Sequence, residues 1–290
     1  MNTAPTHRNV RPFYWSVRRE LWEHRSLYMA PMIVAGVALI GLLISVVTSV
    51  TSSLAEVATM NPAQQTSLLS APHSAAAVLV MITSVIVGCF YCLDALHGER
   101  RDRSILFWKS LPVSDATTVL AKASIPMLVL PLMAFVIITV VQLITVFVST
   151  LVVLAHGISV ATLWSKLPFA QMPIGLFYFL VVTALWYAPV YAWLLFISAW
   201  AKRGTFVWAV VPPIALVAFV QAGSGAPAAK AFIRSRLIGA FEQGFATNSS
   251  GRTLPDPSKL ISSPELWIGL VIAVALVFAT IRLRRRREPI

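Results

Sequence analysis

Between Met29 and Leu283 the chain passes through six apolar blocks, at 29–50, 74–96, 124–155, 174–200, 205–222 and 264–283. A helix of about 20 apolar residues spans the ~30 Å hydrocarbon core of a bilayer. Inside lipid the backbone must satisfy its own hydrogen bonds, which leaves helices or closed barrels. Barrel strands would show ten-residue stretches of alternating polarity, a pattern this sequence lacks. Charged residues make up 12% of the chain, about half the ~25% of an ordinary soluble domain. They are too few to cover a water-facing surface. The expected fold is therefore an all-α integral membrane protein with six transmembrane helices. The third block is longer than one perpendicular span, so it must tilt, project from the bilayer, or kink at Pro126 or Pro131.

The segment ahead of the first block, residues 1–28, has a different character. Val10, Phe13, Tyr14, Val17 and Leu21 recur at helical spacing, with Arg19 and Glu23 on the opposite face and Trp15 and Trp22 flanking the stripe. This predicts an amphipathic helix lying in the membrane interface, with its rings at head-group depth. No cleavable leader is expected, because the first apolar block begins late and is too long for one. Residues 29–283 form the transmembrane domain, with inner loop 97–123 and outer loop 223–263, and residues 284–290 form a basic tail.

Orientation follows from Lys and Arg, which concentrate on the cytoplasmic side of membrane proteins. With both termini inside, seventeen of the 23 basic residues fall on the inner side and six outside. The outer loop 223–263 resists this bias, since it holds Lys230, Arg234, Arg236, Arg252 and Lys259. Within it Phe232, Leu237, Ile238, Phe241 and Phe245 recur at roughly helical spacing. They suggest a membrane-skimming or re-entrant helix, followed by a Gly/Pro/Ser-rich loop at 248–258. The net charge of +12 thus reads as topology and head-group contact. No nucleic-acid partner is expected, because no basic and aromatic surface lies outside the apolar blocks.

Motifs for chemistry within this chain are missing. There is no phosphate loop, no H-E-x-x-H and no G-x-S-x-G. The five histidines are scattered outside the apolar blocks, so no metal site is expected. Cys89 and Cys92 form a C-x-x-C inside an apolar block without further ligands, and packing is the expected role for them. The apolar blocks are nearly free of ionisable groups, apart from Asp94 at an inner end, which pairs with Arg100 or His97 on this reading. That argues against an ion-coupled transporter, which keeps carboxylates near the midplane.

The informative segment runs from Asp94 to Asp115. Gly98 can end the second span and Ser114 and Asp115 can cap the third. Between them lies a short segment with Ile105, Leu106, Phe107, Trp108 and Leu111, ringed by charges and stopped by Pro112. These apolar side chains either sink into the lipid interface or fill a groove on a soluble partner.

The run Glu99-Arg100, Ser104-Ile-Leu, Ser110-Leu-Pro-Val-Ser114 and Lys122 resembles the inner loop of type-2 ABC exporter permeases. Arg103-Ser104 stands where a Gly-Thr step is usual there, and Leu111 is inserted before the proline. The motif covers about 30 residues, and the wider organisation of the chain is similar over most of its length. The resemblance implies a multi-pass permease of the bacterial inner membrane, paired with a second permease subunit, often as a homodimer. It also implies a separate cytoplasmic ABC ATPase subunit that carries ATP and Mg, with no cofactor on this chain and no enzymatic activity of its own. On it, Phe107, Trp108 and Leu111 are apolar anchors for the ATPase, and Glu99, Arg100, Arg101, Arg103 and Lys109 are charged rim contacts. The helix bearing Phe13, Tyr14, Trp15, Val17, Leu21 and Trp22 braces that contact. Two readings from other classes stand beside it: a membrane-embedded enzyme using the polar cluster at 94–104, and an ion-coupled secondary transporter. Trp186, Tyr187, Tyr191 and Trp193 either line a path for cargo or pack against neighbouring helices.

Overall fold

The computed structural model describes residues 12–57, 62–104, 113–155, 171–222, 239, 245–247 and 253–286. The expected anchors Phe107, Trp108 and Leu111 and the expected rim residue Lys109 lie outside these residues, as do Val10, Phe232, Leu237, Ile238, Phe241 and the end of the basic tail.

The described chain is almost entirely helical. Helix α1 (Pro12–Glu23) leads into α2 (Ser26–Val57) and α3 (Pro62–Ala95). A short α4 (His97–Arg101) follows α3 almost without a break. Helix α5 (Asp115–Ser124) passes through a π-helical turn at Ile125–Val129 into α6 (Leu130–Ala155). Then come α7 (Gln171–Trp200), α8 (Thr205–Ala222), a hairpin of β1 (Phe245–Thr247) and β2 (Thr253–Pro255), α9 (Pro257–Ser262) and α10 (Pro264–Arg286).

Five helical stretches are long and apolar enough to cross a bilayer: Ser26–Val46, Ser74–Arg101, Asp115–Ala155, Pro173–Trp200 and Pro264–Arg286. The remaining expected span, α8, is a shorter case. Its stretch Thr205–Leu216 is apolar, and the helix runs on through Pro212 and Pro213 to Ala222. Phe245 corrects one expectation. Its backbone is in a strand, paired antiparallel with Pro255, and not in a membrane-skimming helix.

The long third block changes its helical hydrogen bonding where proline requires it. Pro126 has no N–H, and its ring crowds the carbonyl four residues back. The chain relieves this with a wider turn, in which the Leu130 N–H donates to the Ile125 carbonyl. Most hydroxyls described within the apolar helices are satisfied locally, with the buried Thr139 hydroxyl an exception. Ser84, Thr83, Thr145, Ser149, Thr183 and Thr280 each donate to the carbonyl four residues earlier.

The helices pack around two main apolar clusters. One joins Leu27, Tyr91, Cys92, Ile125, Leu130, Tyr191 and Leu195 near the charged end of the bundle. The other joins Ala35, Leu42, Val80, Met81, Ala134, Ile138 and Leu180 further along. Small residues recur in both, which lets apolar helices approach closely without a hydrophobic drive between them. Helix α10 runs along α7, and α2 packs on both α3 and α6. The outward surface is the inverse of a soluble protein's. Ile33, Val37, Ile40 and Ile44 on α2, Leu132, Val136, Leu143 and Phe147 on α6, and Ile268, Val271, Val274 and Phe278 on α10 all face out. Such a continuous apolar exterior fits a multi-pass membrane protein.

Candidate functional site

The charged groups that the apolar exterior excludes converge at one end of the bundle. Helix α1 supplies Arg19 and Glu20, α4 supplies Glu99, α5 supplies Asp115 and Lys122, and α10 supplies Arg284. Lys122 Nζ lies 2.8 Å from Glu20 Oε1 and 3.1 Å from Glu99 Oε1. Arg19 Nη2 reaches the same two oxygens, at 2.6 and 3.1 Å. Arg284 Nη1 donates to Glu99 Oε2 at 2.7 Å, and its Nε donates to Asp115 Oδ1 at 3.1 Å. The Tyr91 hydroxyl closes the set, donating to Glu20 Oε2 at 2.8 Å. Three cations thus face three carboxylates. Glu20, Lys122 and Arg284 are buried, so each is compensated, as a charge out of water must be.

Helical geometry explains how these residues meet. On α1, Glu20 shares a face with Val17, Leu21 and His24, because residues three and four apart stack on one side. That face turns inward. Val17 and Leu21 pack on the apolar cluster, and the His24 ring meets Tyr91 edge-on at 5.1 Å. On α5, Asp115 and Lys122 lie seven residues apart, two turns, and so point the same way. Ser114 starts α5, its hydroxyl accepting from the Thr117 N–H, as the capping residue expected from the sequence.

Burial alone would raise the Glu20 carboxyl, but the Lys122 ammonium beside it outweighs that. With help from Arg19 and the Tyr91 hydroxyl, Lys122 holds Glu20 down at about 2. The Arg19 guanidinium, though its burial opposes charge, is pushed up by the neighbouring Glu20, Glu23 and Glu99.

A second set of contacts fixes α4 to the end of α7. The Leu96 and His97 N–H groups both donate to Ser198 Oγ, at 3.0 and 2.9 Å. Arg100 Nη1 donates to the carbonyls of Ala199 and Ala201, at 2.8 and 3.2 Å. These are the orphan acceptors of a helix C-terminus, where a cation is also favoured by the helix dipole.

The expected rim residues therefore divide. Arg101 and Arg103 are exposed, with Arg103 in the left-handed backbone region at φ 56°. Glu99 and Arg100 are turned into the bundle, where the first bridges three helices and the second caps α7. Asp94 is also corrected. It lies 3.9 Å from Arg101, not beside Arg100 or His97, and both side chains are largely in solvent. The expected interfacial residues divide as well. Val17 and Leu21 face the core, while Phe13, Tyr14, Trp15 and Trp22 are exposed. Arg18 lies over the Trp15 and Trp22 rings, 5.3 and 4.5 Å from their centroids, and completes an outward aromatic ridge.

Glu20, Lys122 and Arg284 went unrecognised as partners. One signal was available for each of the first two. Glu20 lies on the Val17–Leu21–His24 side of the α1 helical wheel. Lys122 sits among Val119, Leu120, Ala121 and Ala123 with no acidic neighbour within reach along the helix, so it needs one from elsewhere.

The aromatic residues considered as a cargo path are packing residues. Trp186 and Tyr191 are fully enclosed, and the Trp186 ring is so close to Gly239 that a side chain there would collide with it. An internal gap lined by Ser84, Pro126, Thr183 and Tyr191 is about the size of one water molecule. No family model, no curated protein and no solved structure matches this chain.

Proposed function

We propose that the chain is the membrane-spanning permease subunit of an ATP-driven, ABC-type exporter. On this reading it has six spans, both ends in the cytoplasm of a bacterium, and an elbow-like α1 lying in the inner leaflet. ATP and Mg bind a separate ATPase subunit, and a second permease copy completes the assembly.

The observation that carries the proposal is the mounting of the loop between α4 and α5. Its two stems are locked to α1, α7 and α10 by buried ion pairs and by the capping of α7 through Arg100. Exposed Arg101, Asp102 and Arg103 project from that base. A contact that transmits force must be stiff where it enters the bundle, and compensated buried charges are directional and resist sliding. The resemblance of residues 99–122 to the inner loop of type-2 exporters supports the same role. The enzyme reading loses support, because Glu99, the buried carboxylate of this region, is already paired with Lys122, Arg19 and Arg284, while Asp94 and Asp102 are exposed beside Arg101.

The test is copurification of the tagged chain in mild detergent, with ATPase assay and mass spectrometry, beside Phe107→Ala/Trp108→Ala. A phosphate-loop ATPase that copurifies with the wild type and is lost from the double variant supports the proposal. If no such protein copurifies, the proposal fails.

A further inference from the structure

Arg284 belongs to the basic run at the end of the chain, which by sequence reads as a topology signal. Its geometry is different from that of its neighbours. Arg285 and Arg286 are exposed, whereas Arg284 is buried. Its guanidinium spans two carboxylates that flank the inner loop. Nη1 meets Glu99 on the incoming stem at 2.7 Å, and Nε meets Asp115 on the outgoing stem at 3.1 Å.

We propose that Arg284 is a positioning residue that clamps the two stems of loop 99–115 together and fixes them to the end of α10. The fork of the guanidinium is essential, because it offers several donors in one rigid plane, while an ammonium is a single point charge. Lys122 and Arg19 hold Glu99 from the opposite side through Oε1, so Glu99 keeps partners if Arg284 is lost. Asp115 has no ion pair to another side chain among the described residues. Loss of the fork therefore frees the outgoing stem first. Helix α10 is continuous from Pro264 to Arg286 and runs along α7, so a displacement of the loop is passed directly to this helix. That last consequence rests on the exporter reading, whereas the clamp does not.

Hydrogen exchange on the full-length protein in lipid nanodiscs tests the clamp. Arg284→Lys keeps the charge, and with it the topology signal, but removes the fork. Arg285→Lys is the control. Amides at 113–118 are expected to exchange about tenfold faster in Arg284→Lys, the scale of losing one charge-assisted hydrogen bond. Amides at 266–280 and the Arg285→Lys protein should keep the wild-type rate. Asp115→Asn should produce the same local acceleration, and the Asp115→Asn/Arg284→Lys double variant should be no faster than either alone, because both break one contact. Unchanged exchange at 113–118 in Arg284→Lys, or effects that multiply in the double variant, overturns the proposal. Acceleration spread evenly over α10 would show a merely structural role and overturn it too. The measurement needs no ATPase, so the clamp and the exporter reading fail separately. If an ATPase copurifies with the wild type, its retention by Arg284→Lys reports the consequence for coupling.

Discussion

Lys122 and Glu20, 102 residues apart in the chain, form a buried ion pair at 2.8 Å. Lys122 also serves Glu99, so its removal strands negative charge out of water. Breaking one side of such a pair costs about 3–5 kcal/mol, most of it from the uncompensated partner. Lys122→Met should lower the thermal midpoint of the detergent-solubilised protein steeply. Lys122→Met/Glu20→Gln keeps the network neutral and should recover much of that loss. A double variant as unstable as the single one would mean that the pair is not what joins α1 to α5.

The same carboxylate sets a pH dependence. Glu20 is held at about 2, below its ordinary 4.5, so its folded form binds protons less readily than its unfolded form. A depressed carboxyl contributes stability that is fully present above its unfolded value and is lost as pH falls toward its folded one. The stability difference between wild type and Glu20→Gln should therefore be constant from pH 7 to about 5. It should narrow as pH falls from 4.5 toward 2. Thermal midpoints of both proteins across that range check it, and a difference independent of pH would refute the assignment.

The apolar blocks were legible because lipid imposes one rule on every residue inside it: a run of about 20 apolar side chains has few other uses. The Ser114 cap and an irregularity at Pro126 are legible for similarly local reasons, one hydroxyl and one missing N–H. The ion network was not, because it depends on which helices become neighbours. Arg284 looks the same in sequence as Arg285, and only the packing of α10 against α5 and α7 separates them. The resemblance makes Glu99 and Arg100 rim contacts for a partner, whereas both turn into the bundle. Here the ends of α7 and α10 supply partners that the sequence places a hundred or more residues away. Among the α1 residues it is Val17 and Leu21, not the rings, that turn from the expected interfacial stripe into the core. In α1 the apolar stripe covers two faces, and Glu20, paired from a distance, decides which of them turns inward.

The outward ridge of Trp15, Arg18 and Trp22 should sit at head-group depth, since indole rings prefer the interface between hydrocarbon and water. In a chain with Cys89 and Cys92 replaced by Ala, a spin label in place of Trp22 should relax readily with dissolved oxygen and weakly with a water-soluble nickel complex. A label in place of Val17, which packs on the core, should be shielded from both. If the Trp22 label responds to the nickel complex as strongly as one at exposed Arg103, α1 is surrounded by water and does not lie in lipid.

Gly204 turns the chain between α7 and α8 with φ at +64°, a conformation in which a Cβ crowds the neighbouring carbonyl at a cost of about 1–2 kcal/mol. A Cβ added there meets nothing within 4 Å, so any penalty comes from the backbone alone. The turn matters because it sets α8 against α7, where Trp193 Nε1 donates to the Ala209 carbonyl at 3.1 Å and Trp200 meets Trp208 edge-on at 4.9 Å. Gly204→Ala should lower the thermal midpoint by a few degrees, roughly 2–4 °C per kcal/mol for a chain of this size. Gly204→Asn should be much milder, because asparagine tolerates the left-handed region. Equal losses in the two variants would trace the effect to a side-chain clash and not to backbone conformation, contrary to the open space around this glycine.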